Sequence, residues 1–562
     1  MQRSLSFLQR CFVFFILISG QIYAQKEAFS AGFESSGQWY LNDTGLKDEY
    51  NNTTTQPQQP LRSNSYLFLQ YKRNKWHFGI QGESYLQNAL LNMNPAYNES
   101  KVATYFGRYM GTQFDITAGY FYEQFGSGLL FRSWEDRALG INNAVRGIRI
   151  LWNPYKNWNT KWMYGKQRSG FEVSEGTLFG ADVSYNLSTA LGWKTTDLSL
   201  GSNYVGRYEQ TSLSNPAFTP LTSGVGLRLS MSHQAFYGTA EYNYKTPDAV
   251  VQSVGQIDTP LVKPGSALLA NIGYTRKGLG IDATFRRLEN MGFYSERAAK
   301  GNVYNDKMVN YLPSLTKQHH FNLANIYVYQ AQPNVLLAGT NYVKAGEIGG
   351  QIDLFYEAKK GSFFGGKQGM KLACNFSSWN ALSGTYYIMN PQDYSTNFIG
   401  FGQRMFSDYN IEITKKWSSK WTTNIASVNQ YYNKKYIEDA SGEIRTHIVA
   451  VEAFYKLSNG RSWRWVGEHM WADYDRKNWA SATVEFNINP QLTVYVYDMY
   501  NYGNDLDYYR NHYYNLGGSY RKKSLRFALN YGRQRGGLVC VGGVCRFVPE
   551  SSGISATLTF SL

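Results

Sequence analysis

Seven charged side chains are the strongest candidates for solute-directed chemistry. Arg132, Glu135, Asp136 and Arg137 fall within six positions, and Arg146, Arg149 and Arg286 supply further cations. Gly126 and Gly128 stand just before the cluster and let a chain leave a strand sharply. If the segment folds back into an enclosed space, Glu135 and Asp136 face Arg146, Arg149 and Arg286. The transverse field between acid and base then sorts solutes by charge. The alternative is a salt-bridged latch that only holds a loop down. A second charged run, FRRLENMGFYSER at residues 285–297, is followed by NYLPSLTKQHHFNL from Asn310. Its Arg286, Arg287, Glu289, Glu296 and Arg297 suit packing inside a lumen, contact with a partner, or a plain surface loop.

Catalysis is not expected. The seven His, at 77, 233, 319, 320, 447, 469 and 512, form no HExxH, and neither a metal-type CxxC nor a GxSxG is present. We assign no catalytic, cofactor-binding or metal residues and expect no cofactor. GSFFGGKQ at 361–368 imitates a phosphate-binding loop up to Lys367, but Gln368 replaces the Ser or Thr needed at magnesium. It reads as a glycine-rich turn. In CVGGVC, Gly542 and Gly543 can form a two-residue hairpin turn that sets Val541 opposite Val544 and Cys540 opposite Cys545. That spacing permits a disulfide in an oxidising compartment, with two free thiols as the alternative. Cys374 shares a face with Met370, Leu372 and Phe376 and reads as a small lipid-facing apolar residue.

The elements that must position these residues are strands. In the closing GISATLTFSL, Ile554, Ala556, Leu558, Phe560 and Leu562 alternate with Ser555, Thr557, Thr559 and Ser561. Lipid on one side and a wet lumen on the other require this pattern. Period two recurs in residues 75–86, 236–245 and 348–358, each with one apolar and one polar or charged face. Arg3 and Arg10 flank CFVFFILIS, and Ile22, Tyr23 and Ala24 form a cleavage site before Gln25, so residues 1–24 are expected to be a signal peptide. Cys11 lies inside the apolar stretch, which argues against a lipid-anchored N-terminus. After it, no window reaches the roughly 18 to 20 apolar residues of a spanning helix. Composition agrees: 16% of residues are aromatic, including 46 Tyr and 14 Trp, and 53 are Gly, as an outer-membrane barrel requires.

Residues 25–562 are therefore expected to form one all-β domain, an antiparallel up-and-down transmembrane barrel with no N-terminal plug domain. Short turns are expected near 73–75, 111–114, 153–158, 233–235, 276–279, 330–334, 416–420, 458–462, 489–491 and 521–523. Longer polar segments fall at 41–62, 125–144, 247–264, 290–316, 378–405 and 534–552, and in such barrels the long connections are extracellular. Enforcing the alternation gives about 26 strands, with about 20 to 26 acceptable, and a cylinder on the order of 50 Å across. Inward loops, flattening or another protein must fill so wide a space. Nine Trp, among them Trp76, Trp158, Trp417 and Trp463, sit near the short turns, as an interfacial girdle requires. Lys72, Arg73, Lys75, Lys415, Lys416, Lys420 and Arg521 to Lys523 crowd the same turns and carry much of the net +15 charge. They serve either to attract anionic headgroups or simply as solvated turns. Nucleic acid is excluded, because neither a basic helix nor a binding module is present.

EQFGSGLLFRSWEDRALG, RRLENMGFYSER, NYLPSLTKQHHFNL, FGGKQG and GRQRGGLVCVGGVCRFVP together resemble the signature segments of an uncharacterised outer-membrane protein family of the Bacteroidetes phylum. The resemblance implies the outer membrane of a Gram-negative bacterium and carries no activity with it. One departure is the final Leu562, where many barrels end on an aromatic residue. From the residues themselves, a passive or weakly selective channel is the first expectation. A structural or assembly scaffold for surface lipoproteins or exported proteins is the alternative. Outer-membrane lipid, and the barrel assembly machinery during biogenesis, are the expected partners.

Overall fold

The computed structural model describes residues 29–46, 59–86, 88–90, 97–210, 218–251, 257–297, 307–335, 344–387, 393–541 and 543–562. The expected signal peptide, residues 1–24, lies outside them, as does Gly542. Twenty-four strands pair antiparallel, each with its neighbours in sequence, into one closed sheet. The cylinder is sealed where the first strand, Phe29–Leu41, meets the last, Ser551–Ser561, in a register running from Gly32 opposite Ser561 to Leu41 opposite Ser552. Closure leaves no unpaired edge, the condition for extended backbone to lie in hydrocarbon.

Side-chain alternation then sets what each face meets. Outward positions are apolar and open: Leu227, Ile272, Ile352, Phe376 and Ile411 are all exposed. Leu354, Cys374 and Ile411 lie side by side in register on this face, and Cys374 is a free thiol. Aromatic pairs ring the short-turn end, with Trp76 stacked on Phe78, Phe114 on Trp152 and Trp463 on Phe486. The tight turns follow local chemistry. Arg73 and Trp76 close a two-residue hairpin whose Asn74 takes φ 54°, the left-handed conformation such turns need and Asn tolerates.

The count of 24 falls inside the expected range of about 20 to 26, and one difference from the expected order is clear. The strand expected before the turn at Gln330–Asn334 does not form, and the segment after it, residues 336–343, lies outside the described residues. Residues 307–335 are irregular apart from a 3-10 turn at Leu323–Asn325 and lie inside the cylinder. Conversely, parts of the expected loops 247–264 and 378–405 are strand. Phe236–Val251, Ile257–Arg276, Met370–Tyr387 and Asp393–Lys416 continue as paired ribbons with register shifts near Asp248 and Leu382. Beyond the bilayer a ladder needs backbone pairing but no apolar face, so the sequence pattern fades before the strand does.

Cys540 and Cys545 form a disulfide across the hairpin Gly537–Val541 and Val544–Val548, in the expected register. Gly543 adopts φ 79° in its turn, and its carbonyl accepts a hydrogen bond from the Ser314 amide at 2.9 Å. The hairpin thereby sits on the interior segment. Replacing both cysteines by Ser is expected to loosen this hairpin by about 2 kcal/mol, the loop-entropy value for so short a ring, and to leave the barrel folded. Unfolded mature protein should take up maleimide at Cys374 alone before reduction and at all three cysteines after it. Uptake at all three without reductant would contradict the bond.

Candidate functional site

The outer half of the lumen is filled by the chain itself. Phe293, Val309 and Leu312 pack with Phe125, Leu129, Leu130 and Phe131 and with wall residues Val145, Leu178 and Val205 in one buried cluster. A second joins Phe321, Leu323, Tyr327 and Tyr329 to wall residues Val428, Ile444, Ile448, Val466 and Trp479. Burial changes along each strand. In Glu443–Lys456 the inward Ile444, Thr446, Ile448 and Ala450 are buried, whereas Glu452, nearer the short turns, is partly open. The cylinder is a cup, filled at the long-loop end and open toward the short turns.

Charge fastens the filling to the wall. Arg168 and Glu83, both with fully buried side chains, meet through two hydrogen bonds of 2.9 and 2.6 Å. Asp248 accepts from Arg207 at 2.9 Å and from Arg297 at 2.7 Å, and the Arg297 amide donates to Glu209 at 2.8 Å. Arg286 donates to Glu347 at 2.6 Å and to the Pro313 carbonyl at 2.5 Å. Glu347 also receives the Tyr329 hydroxyl at 2.6 Å and the Gln332 amide at 2.7 Å. Glu468 takes the Asn322 and Leu323 amides, and Asp408 binds His319 at 2.9 Å. Each pair joins an inward strand position to the interior segment or to another wall strand. The second charged run therefore packs in the lumen, one of the fates open to it from sequence.

The loop at 122–144 also folds inward, but its charges are paired otherwise than expected. Arg137 reaches Glu34 at 2.9 Å and Glu135 at 3.2 Å, and Glu135 accepts from Gln81 at 3.2 Å. Asp136 receives the Leu139 amide at 3.0 Å. Arg132 lies over the ring of Tyr311 at 3.9 Å and near that of Trp134 at 5.1 Å. Arg149 binds Thr117 at 3.2 Å, with Asp115 at 3.4 Å and Glu123 at 3.6 Å. The expected opposition of Glu135 and Asp136 to Arg146, Arg149 and Arg286 does not form. Arg146 shares the face of the exposed Ile148, beside Tyr120, and Arg286 is engaged by Glu347. Sequence reasoning missed Arg168, Arg207, Asp248 and Glu347. Their only signal is a charge on the inward parity near the long-loop end of a strand.

A cavity of about 370 Å³ remains beneath the filling, lined by Gly126, Lys161, Asp182, Arg228 and Glu241 among others. Arg228 donates to Asp182 at 3.2 Å and Ser184 at 2.8 Å, and Glu241 accepts from the Ser127 amide at 2.9 Å. On the other side of the filling a cavity of about 410 Å³ lies among Trp134, Tyr311, Gln332, Lys344 and Arg546. Lys344 donates to Gln332 and to the Tyr436 carbonyl, and burial pushes its ammonium down to about 8. In the unfolded chain Lys titrates near 10.5, so between these values the unfolded state binds the extra proton and stability rises with pH. Lys344→Met is expected to be more stable than wild type at pH 7 and to lose that rise. Urea unfolding in detergent from pH 7 to 10.5 checks it.

A closed antiparallel cylinder with an apolar outer wall, a polar inner wall and aromatic pairs at its turn end is an integral β-barrel of the outer-membrane type. The chain matches over residues 1–562 the model of the family of unknown function DUF6029, and it belongs to that family. No curated protein matches its sequence. Among solved structures it is similar to the siderophore receptor PirA from Pseudomonas aeruginosa, with 9% identity, a TM-score of 0.40, and 96% of this chain and 81% of that chain covered. It is similar also to the P pilus usher PapC translocation pore, with 7% identity, a TM-score of 0.42, and 95% and 99% covered. A third is OccK11 (OpdR) of Pseudomonas aeruginosa, with 9% identity, a TM-score of 0.35, and 96% and 99% covered.

Proposed function

We propose that this protein is a barrel closed to free diffusion, a scaffold in the outer membrane of a Gram-negative bacterium of the Bacteroidetes, which holds surface lipoproteins or exported proteins. The filled lumen carries this reading. Two apolar clusters continue without a break from the interior segment to the wall, and buried ion pairs flank them. At roughly 1.5–3 kcal/mol for each buried large apolar side chain, withdrawing even five of them costs on the order of 10 kcal/mol. A passive pore cannot depend on so rare an event. A weakly selective channel is the second reading, favoured by the charged cavity at Lys161, Asp182, Arg228 and Glu241.

Planar-bilayer recording separates the two. The scaffold reading expects inserted wild-type barrel to show no steady conductance and to co-purify with a defined lipoprotein or secreted subunit. A steady open level in every insertion would replace it with the channel.

A further inference from the structure

The outer wall carries a groove of about 640 Å³ at the long-loop end, across four adjacent strands, Asp393–Lys416, Trp421–Asn433, Glu443–Lys456 and Ser462–Ala472. Its exposed side chains have outward parity: Tyr409, Asn429, His447 and Trp471 lie in one hydrogen-bonded row, while their neighbours Asp408, Gln430, Thr446 and Met470 turn their side chains to the inner face and are buried. The Arg404 guanidinium sits 3.8 Å from the centre of the Tyr431 ring, and Arg445 lies 5.8 Å from the same ring. His447 Nδ1 is 2.8 Å from Asn429 Oδ1, and its ring stacks on Trp471 at 5.6 Å.

Height decides what meets this groove. Trp421 and Tyr455 form an aromatic pair at the short-turn end. Tyr431 lies ten positions further along the same strand as Trp421. At about 3.4 Å per residue and a tilt near 40°, that places Tyr431 ~26 Å above the lower pair, the height of the apolar band. Exposed Ile411, Ile425 and Val451 occupy the wall between. The groove is thus level with the headgroups of the far leaflet, where a lipid is the molecule in contact with the wall.

We propose that this groove binds the phosphate-bearing headgroup of an anionic outer-leaflet lipid. The charges fit. Among the described residues Arg404 is in no ion pair, which leaves its planar fork for phosphate oxygens. Arg445 has Asp473 at 3.7 Å, but both side chains are largely in water, where such a pair is weak. Asp473 spends one oxygen on the Arg445 backbone amide at 2.8 Å, and Glu443 is the other carboxylate at this rim. Tyr409 and Trp471, both exposed, supply the amphipathic rings that settle at headgroup level. The inference rests on the membrane placement of the barrel and is independent of whether the lumen conducts.

Wild-type protein and the double variant Arg404→Ala/Arg445→Ala are to be inserted into phosphatidylcholine vesicles containing a minor fraction of diphosphorylated lipid A. Flotation scores insertion, and native mass spectrometry after detergent extraction scores retained lipid. Lipid A is expected to stay on the wild type in preference to phosphatidylcholine and to bind the double variant about 30-fold more weakly, two arginines' worth of headgroup attraction. Arg404→Lys/Arg445→Lys should recover part of that loss, and millimolar inorganic phosphate should not displace the lipid. Heat-modifiable migration identical to wild type shows that the variants remain barrels. Equal retention by the double Ala variant, equal retention of phosphatidylcholine, or displacement by phosphate alone overturns the proposal while the membrane reading stands. Failure of the wild type to float with vesicles overturns both.

Discussion

Replacing residues 291–343 with a short glycine-serine linker is expected to turn a silent barrel into one with a large, steady conductance. The reason lies in how the outer half of the cylinder is filled. Twenty-four strands at about 4.8 Å spacing and a tilt near 40° enclose a backbone cylinder roughly 45–50 Å across. Without Phe293, Val309, Phe321, Leu323, Tyr327 and Tyr329, both apolar clusters that join the wall lose their central members, and the loop at 122–144 remains across one part of this space. That loop spans from Glu34 on the first strand to Glu241 on Phe236–Val251, so it screens one side of the lumen, whereas the side walled by Val428, Ile444 and Val466 loses the apolar side chains that fill it. Planar-bilayer recording of the two proteins side by side is the measurement. A correctly assembled deletion barrel that stays as silent as wild type would show that the interior segment is not what closes the lumen.

Glu347→Ala is expected to be the most damaging single substitution in the interior. It leaves Arg286, only 1% exposed at its side chain, without its counter-charge, and it deprives the Tyr329 hydroxyl and the Gln332 amide of an acceptor. Removing one partner of a buried ion pair costs about 3–5 kcal/mol, most of it the penalty of the charge left behind. Amides of residues 310–332 should therefore exchange with solvent some 10²- to 10⁴-fold faster, at about 1.4 kcal/mol per factor of ten. The double variant Arg286→Met/Glu347→Leu should be much milder, since it removes both charges and keeps the volume. Exchange as slow in Glu347→Ala as in wild type would mean that the pair adds nothing to holding the segment in place.

The outer wall was legible in the sequence because lipid imposes a rule on every second residue. Ile554, Ala556, Leu558 and Phe560 announce a strand with one wet and one oily face, and the first strand pairs with that stretch to close the cylinder. The Cys540–Cys545 pairing was legible for a similar local reason, as a short hairpin places its ends opposite each other. The interior segment was not. Phe321, Leu323, Tyr327, Tyr329, Ala331 and Val335 are buried at nearly every second position, the pattern of a half-buried strand, yet no strand forms there. Period two reports that one side of an extended chain is buried; it does not say whether lipid or the inside of a barrel wall covers it.

Charge pairing lay further still from the sequence. Arg132, Glu135, Asp136 and Arg137 could be recognised as a cluster, and Gly126 and Gly128 as the place where the chain turns inward, since both depend on neighbours along the chain. Which acid meets which base depends on residues more than a hundred positions apart, as with Arg137 and Glu34, or on adjacent strands separated by a long connection, as with Arg286 and Glu347. The alternation of residue types by itself determined that this chain is a membrane-spanning barrel and which side chains face lipid. Only the tertiary structure decided that the barrel is filled, and with what, because packing across a lumen follows three-dimensional proximity, whereas the sequence pattern records each strand's two faces one strand at a time.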